Sequence, residues 1–128
     1  MRLVRSTVAL VFGFVLAAVG DLTFVYLAWV RGNAGSGLLV MFAAVVWLGL
    51  AGLVIGTLTA FVAGWRSVAH ATAVAVLTAL VAIVSLVLRA GPEPTWYRFL
   101  EIFILAPAMT AGAIAYLDRL RRRVPTAT

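Results

Sequence analysis

The chain has 128 residues, of which 65% are apolar and only 11% charged, with a mean hydropathy of +1.15 and a formal net charge of +6. Soluble domains are about half apolar and about a quarter charged, so this composition excludes a water-soluble fold and predicts an integral membrane protein. The chain has no cysteine and one histidine, His70, which excludes disulfides, thiolate chemistry, Cys-ligated metals and multi-histidine metal sites within one chain.

Four apolar runs are each long enough to cross a bilayer as a helix, which takes about 20 residues. They are predicted at about 6–30, 38–64, 67–88 and 96–117, and residues 118–128 are expected to form a basic cytoplasmic tail. The runs are continuous and lack the alternation that is typical of barrel strands. The predicted fold is therefore all-α, a single transmembrane domain of four helices in an antiparallel up-and-down bundle. Only Trp65 and Arg66 separate the second and third spans, which predicts a tight hairpin.

The distribution of arginine predicts how the spans are oriented. All ten basic residues are arginines, and three of them, Arg31, Arg89 and Arg98, lie at one end of the predicted bundle. The other seven lie at the end that carries both termini: Arg2, Arg5, Arg66, Arg119, Arg121, Arg122 and Arg123. Because cytoplasmic flanks carry the excess of positive charge, both termini are expected in the cytoplasm, with the chain crossing an inner or plasma membrane.

Arg119, Arg121, Arg122 and Arg123 follow the last span directly. In this position a basic run is typical of contact with anionic lipid head groups, so these residues are predicted to bind lipid and no nucleic-acid partner is expected.

Small residues at four-residue spacing predict the faces through which the helices pack, because lipid gives helices no hydrophobic reason to associate. Gly13 and Ala17 share one face of the first span, Gly52 and Gly56 share one face of the second, and Gly112 lies in the fourth. The spacing does not distinguish contacts within the chain from contacts with other membrane subunits or with a second copy.

Asp21 is the strongest candidate for a functional residue, because a carboxylate inside a membrane has to be paired, protonated or in contact with water. It is nine residues from the predicted end of the first span, roughly 13 Å deep at about 1.5 Å per residue. Trp47 is expected at a similar depth in the second span, where its indole N–H would donate to Asp21.

Other polar side chains are expected in the same half of the bundle, from Glu101, Arg98, Ser85 and Tyr26. Arg98 and Glu101 are three residues apart and near the membrane surface, so a solvated ion pair is expected there. Two interpretations stay open for Asp21. It either forms a proton or cation site with Glu101, or belongs to a hydrogen-bond network that fixes helix packing.

Nothing in the sequence supports catalysis. Phosphate-binding glycine loops, metal motifs and catalytic triads do not occur, and His70 is expected to be a polar residue at the start of the third span. We therefore expect neither enzyme activity nor a cofactor.

Several short segments carry a resemblance. The segments 60–65 (AFVAGW), 69–71 (AHA) and 94–97 (PTWY), followed by Pro107, resemble a loose group of small bacterial four-span membrane proteins of unassigned function. The likeness covers about the last two thirds of the chain, and an acidic residue in the first span of that group corresponds to Asp21. It implies a fold and no activity. Pro107 itself predicts a kink in the fourth span.

Three functions are compatible with these features. The small extramembrane part and the small-residue faces favour an accessory or structural subunit, or an assembly factor, of a larger membrane complex. The alternative is a small homodimeric transporter or channel that uses Asp21 for protons, cations or hydrophobic cations. The third is a lipid-interacting membrane protein that binds through its arginine-rich end.

Overall fold

The computed structural model describes residues 1–32, 37–64, 67–89 and 91–123, in which every regular element is helical. α1 (Arg2–Val25) continues as a π-helix (Tyr26–Arg31), and α2 (Leu38–Ala63) and α3 (Ser67–Leu88) follow. α4 (Thr95–Leu100) leads through a π-helical turn (Glu101–Leu105) into α5 (Ala106–Arg123), and together they form one fourth helix. All four helices are long and apolar enough to span a membrane, which confirms the predicted all-α class. The predicted hairpin at Trp65 and Arg66 lies outside the described residues.

The four helices do not pack in chain order around the bundle. α1 packs against α2 and α3, and both of these pack against the fourth helix, so α1 and the fourth helix lie opposite each other. α1 and α2 are antiparallel, since Arg5 bonds to Val62 at one end and Trp47 to Gly20 towards the other. α2 and the fourth helix run in the same direction, since Gly49 approaches Ile104 and Gly56 approaches Met109. Among the described helices, this pair makes the most extensive contact.

The contact between α2 and the fourth helix is made by backbone against backbone. A Cβ atom on Gly56 would clash with the carbonyl group of Met109, and one on Gly112 would clash with that of Leu53. A Cβ on Gly52 would lie 2.6 Å from that of Ala108. Glycine permits this close approach, which stabilises the pair by van der Waals packing. These small-residue faces therefore pack within the chain.

Small residues of α1 allow a similarly close contact with two neighbouring helices, α2 and α3. A Cβ on Gly13 would clash with the side chains of Thr59 in α2 and Val74 in α3, and Ala17 is buried on the same face of α1. Large side chains cover the outside of the bundle, where more than half of Leu22, Phe42 and Phe103 is exposed. An apolar outer surface of this kind is suited to contact with lipid.

The π-helical turn Glu101–Leu105 ends two residues before Pro107. The proline has no N–H, and its ring crowds the carbonyl four residues earlier. The N–H of Ala106 donates to the carbonyl of Glu101, five residues back. This turn of the helix therefore contains one more residue than an α-helical hydrogen-bonded turn. The distortion near the proline thus begins at Glu101, one of the predicted site residues, and π-helical turns occur frequently at functional sites.

The predicted basic tail is helical over 118–123, and 124–128 lie outside the described residues. α5 continues through Arg123, and an exposed ion pair joins Arg122 to Asp118 at 3.0 Å. Arginines in the last turn interact favourably with the negative end of the helix dipole, which explains why the helix extends past the apolar run.

Candidate ion-binding site

Arg98 of α4 is the centre of a buried ion cluster. Its Nη1 atom donates to Oε2 of Glu101 at 2.7 Å and to Oδ2 of Asp21 at 3.4 Å, while Nη2 pairs with Glu93. The side chains of Glu93 and Glu101 are 1% and 3% exposed, and those of Arg98 and Asp21 are 13% and 14% exposed. One guanidinium therefore holds three carboxylates, from α1, from the segment before α4 and from the fourth helix.

The backbone conformation around α4 positions the side chains of Glu93, Arg98 and Glu101. Gly91 has φ of 102°, a backbone conformation that glycine adopts without strain, and a Cβ there would clash with the carboxylate of Glu93. Pro94 is extended and immediately precedes α4, and Arg98 of α4 pairs with Glu101, three residues later in the π-helical turn. The segment thus directs Glu93 and Glu101 towards the same guanidinium.

An aromatic group lies beside the cluster and links α1 to the fourth helix. The ring of Tyr97 stacks on Phe24 with centroids 5.6 Å apart and meets Trp29 edge-on at 5.0 Å. Tyr97 is fully buried, and its hydroxyl interacts electrostatically with Asp21 and Glu101. Because buried rings exclude water, they strengthen the electrostatic interactions at this end of the bundle.

Two cavities meet at Arg98 and Ser85. The inner cavity, of about 210 Å³, is lined by Asp21, Glu101 and Thr78 together with mostly apolar side chains of α1 and α3. The outer cavity, of about 450 Å³, is lined by Glu93, Arg89 and neighbouring residues at the end of α3 and the start of α4. Arg98 therefore borders both spaces.

Four buried polar atoms in the cluster and the adjoining Tyr97 have no hydrogen-bond partner among the described residues. They are Oδ1 of Asp21, Oε2 of Glu93, Nε of Arg98 and the hydroxyl of Tyr97. A buried polar atom without a partner is costly, at about 1–3 kcal/mol. The cluster thus has acceptor oxygens that a proton or a small cation would satisfy.

The structure brings together Asp21, Arg98, Glu101 and Ser85 of the predicted set. The expectation of a solvated Arg98–Glu101 pair was wrong, because Glu101 is only 2% exposed at the start of the π-helical turn, where it faces the bundle interior. Glu93 and Tyr97 were missed. Tyr97 belongs to the 94–97 segment that carries the resemblance, and Glu93 precedes that segment directly.

Two other predicted members of the site lie elsewhere. The indole N–H of Trp47 donates to the carbonyl of Gly20 at 3.1 Å and not to Asp21, because it meets the backbone of α1 one residue earlier. Tyr26 is half exposed in the π-helical end of α1 and lines neither of the two cavities.

The other end of the bundle is separate from this cluster. His70 is largely buried, and its Nε2 atom lies 2.8 Å from the hydroxyl of Ser6, so it links α3 to α1. Within the described residues, no group of three or more His, Cys, Asp or Glu side chains is arranged to hold a metal ion.

The chain has no match among protein-family models, curated proteins or solved structures. Its function is therefore inferred from the geometry of the ion cluster.

Proposed function

We propose that this protein is a small membrane transporter or channel that binds a proton or a monovalent cation at the cluster of Asp21, Glu93, Arg98 and Glu101. The observation that carries the proposal is the imbalance of charge around Arg98. Three carboxylates face one guanidinium, which leaves two negative charges when all four groups are ionised. Since uncompensated charge is costly in a low-dielectric environment, the site favours uptake of positive charge.

The cavities support a path to this site. Arg98 and Ser85 line both cavities, the outer cavity also reaches Glu93, and the inner cavity also reaches Asp21 and Glu101. Ion-binding sites inside membrane proteins are commonly formed where a helix is distorted or interrupted. The π-helical turn at Glu101 is such a distortion.

The chemistry of the lining limits the class of cation. The inner cavity has side-chain oxygens from Asp21, Glu101 and the hydroxyls of Thr78 and Ser85, and the rest of its lining is mostly apolar. Mg²⁺ and Ca²⁺ take six or more oxygen ligands. This lining offers fewer, because Oδ2 of Asp21 and Oε2 of Glu101 are already bonded to Arg98. A proton or a monovalent organic cation with an apolar body fits the lining better.

Flux into proteoliposomes tests the proposal, with Asp21→Asn as the main variant. We expect proton-coupled uptake to fall at least about tenfold in this variant, because the titratable carboxylate is lost. The melting temperature should be kept, because the amide oxygen can still accept a hydrogen bond from Arg98 and because Glu93 and Glu101 still balance the guanidinium. Asp118→Asn is the matched control, since Asp118 is exposed and pairs with Arg122 outside the cluster. Flux that is absent from the wild-type protein, or equal in the wild type and Asp21→Asn, would contradict the proposal.

An accessory subunit of a membrane complex is the second candidate, and an apolar groove between α1 and α2 favours it. The groove, of about 420 Å³, is lined by Leu16, Val19, Leu50 and Val54 and includes the open face of Gly20, where no atom lies within 4 Å of a Cβ position. A partner helix could pack there. The composition of the complex after gentle purification from native membranes decides between the two. Stoichiometric foreign subunits favour this candidate, and a homodimer without other chains favours the transporter.

We also propose that both termini face the cytoplasm of an inner or plasma membrane, on the basis of the arginine distribution. The absence of native cysteine makes the orientation simple to test. Single cysteines at Ser36 and at Thr126 should react with a membrane-impermeant maleimide from opposite sides, with Ser36 labelled in intact cells. Labelling of Thr126→Cys in intact cells would contradict this orientation.

A further inference from the structure

The inner cavity of about 210 Å³ beside the ion cluster is a seam between α1 and α3. One stripe of α1, between Phe14 and Leu22, forms one wall, and one stripe of α3, between Thr78 and Ser85, forms the other. The fourth helix contributes Arg98 and Glu101 to the same space. The seam therefore connects the ion cluster to the contact between two other helices.

The walls of the seam change from buried to exposed residues across the bundle. Ala17 and Ala82 are each 2% exposed, whereas Leu22 and Val81 are 63% and 49% exposed. All four residues line the same cavity. The small buried side chains leave the space open inside, and the larger side chains border it at the outer surface. The seam thus reaches from the buried carboxylates to the outside of the bundle.

The outer edge of the seam lies well below the end of the helices. Val81 precedes Leu88, the last residue of α3, by seven residues, which is roughly 10 Å at about 1.5 Å per residue. Leu77 and Val84, the neighbours of Val81 along α3, are also exposed. In a membrane this edge would face acyl chains rather than water.

We propose that the seam binds an organic ammonium ion, with its charged nitrogen at Asp21 and Glu101 and its apolar body between α1 and α3. A longer tail would extend through the outer edge into lipid. This inference rests on the cation site proposed above and specifies its substrate class. A bare inorganic cation would use the carboxylates and leave the apolar walls without a ligand.

The charge and the size of the seam both suit this class of ligand. Oδ1 of Asp21 is buried and has no hydrogen-bond partner among the described residues, and the cluster carries more carboxylates than guanidinium groups. A cationic head group would compensate part of that excess. An apolar cavity of about 150 Å³ holds a benzene ring. The seam, at about 210 Å³, therefore accommodates a small ammonium head group and a few methylene groups.

Binding of two quaternary ammonium ions to the full chain in lipid nanodiscs tests the inference, with empty nanodiscs as the blank. Tetramethylammonium and octyltrimethylammonium have the same charged head and differ in the apolar tail. Each methylene group removed from water contributes up to about fourfold in affinity. We expect octyltrimethylammonium to bind at least about tenfold more tightly, because an open seam does not limit the tail. A closed cavity of this volume would exclude the octyl chain and bind it more weakly.

Ala18→Phe is the main variant, because Ala18 lines the seam and a phenyl ring there would fill it. It should reduce the preference for octyltrimethylammonium over tetramethylammonium to about threefold or less. Ala43→Phe adds the same ring at an exposed position of α2 and should keep the wild-type preference. Val81→Trp is a second test at the half-exposed outer edge, where a larger side chain does not disturb the interior. It should also reduce the preference.

Asp21→Asn distinguishes this inference from the proposed function. If proton-coupled uptake depends on Asp21 but the wild type binds the two ammonium ions equally, the seam is overturned and the ion site stands. An unchanged preference in both Ala18→Phe and Val81→Trp would overturn the seam in the same way. If uptake does not depend on Asp21, the ion site itself is contradicted, and this inference with it.

Discussion

Arg98 and Asp21 are 77 residues apart in the chain and belong to helices on opposite sides of the bundle, yet Nη1 of Arg98 lies 3.4 Å from Oδ2 of Asp21. The guanidinium spans the gap between α1 and the fourth helix, which otherwise meet there through the rings of Phe24 and Tyr97. This ion pair therefore holds the bundle together at one end and also forms the proposed binding site. The two roles give different predictions for its members.

Arg98→Gln should destabilise the protein strongly. Removal of one partner from a buried ion pair costs about 3–5 kcal/mol, since the remaining charge is left uncompensated, and here three carboxylates lose their partner. Unfolding by heat in detergent micelles measures this. Arg122→Gln removes an exposed pair with Asp118 and should cost less than about 1 kcal/mol. Equal effects of the two variants would show that the Arg98 cluster has no structural role.

Gly56→Ala should separate α2 from the fourth helix. The added Cβ would clash with the carbonyl of Met109, and inserting a methyl group into a tight contact costs about 1–3 kcal/mol. Gly20→Ala is the control, because no atom lies within 4 Å of its Cβ position and alanine favours helix by about 1 kcal/mol over glycine. Melting temperatures of the two variants should therefore move in opposite directions. A Gly56→Ala protein as stable as the wild type would contradict the observed packing.

Trp47→Phe should lower stability slightly and leave transport unchanged. The substitution removes the hydrogen bond from the indole to the carbonyl of Gly20, and such bonds between transmembrane helices contribute about 0.6 kcal/mol. The aromatic contact with Phe24 can remain. Thermal unfolding and flux in proteoliposomes measure the two effects separately. If Trp47→Phe reduced flux as much as Asp21→Asn, the indole would have to act on the carboxylate after all.

Gly91→Ala should disturb the position of Glu93. At φ of 102° any other residue is strained, and the new Cβ would press on the Glu93 carboxylate, so we expect a loss of about 1–3 kcal/mol. Gly37→Ala is the matched loop control, since Gly37 has φ of −68° and an open Cβ position. Thermal unfolding under the same conditions should give a lower melting temperature for Gly91→Ala than for Gly37→Ala. Equal stabilities would show that the turn at Gly91 does not hold Glu93.

Composition and run length were sufficient to predict the class of the protein and its four helices. The reason is local, because about 20 continuous apolar residues satisfy both the thickness of a bilayer and the hydrogen bonds of a helix. The spacing of Gly52 and Gly56 also predicted a packing face correctly as a local pattern, although it did not say which helix packs there. Asp21 and Glu101 were recognisable as candidates because charges are rare in such segments.

Which helices pack against each other is decided only in the folded bundle. α2 is apolar on all sides, so its periodicity does not say which face turns towards the fourth helix. The acceptor of Trp47 and the burial of Glu101 follow from that choice and from the π-helical turn before Pro107. Glu93 joins the site through the turn at Gly91, far in sequence from Asp21. The four apolar helices are thus set by hydrophobicity along the chain. The ion cluster instead arises from contacts between helices, about which an apolar sequence contains little local information.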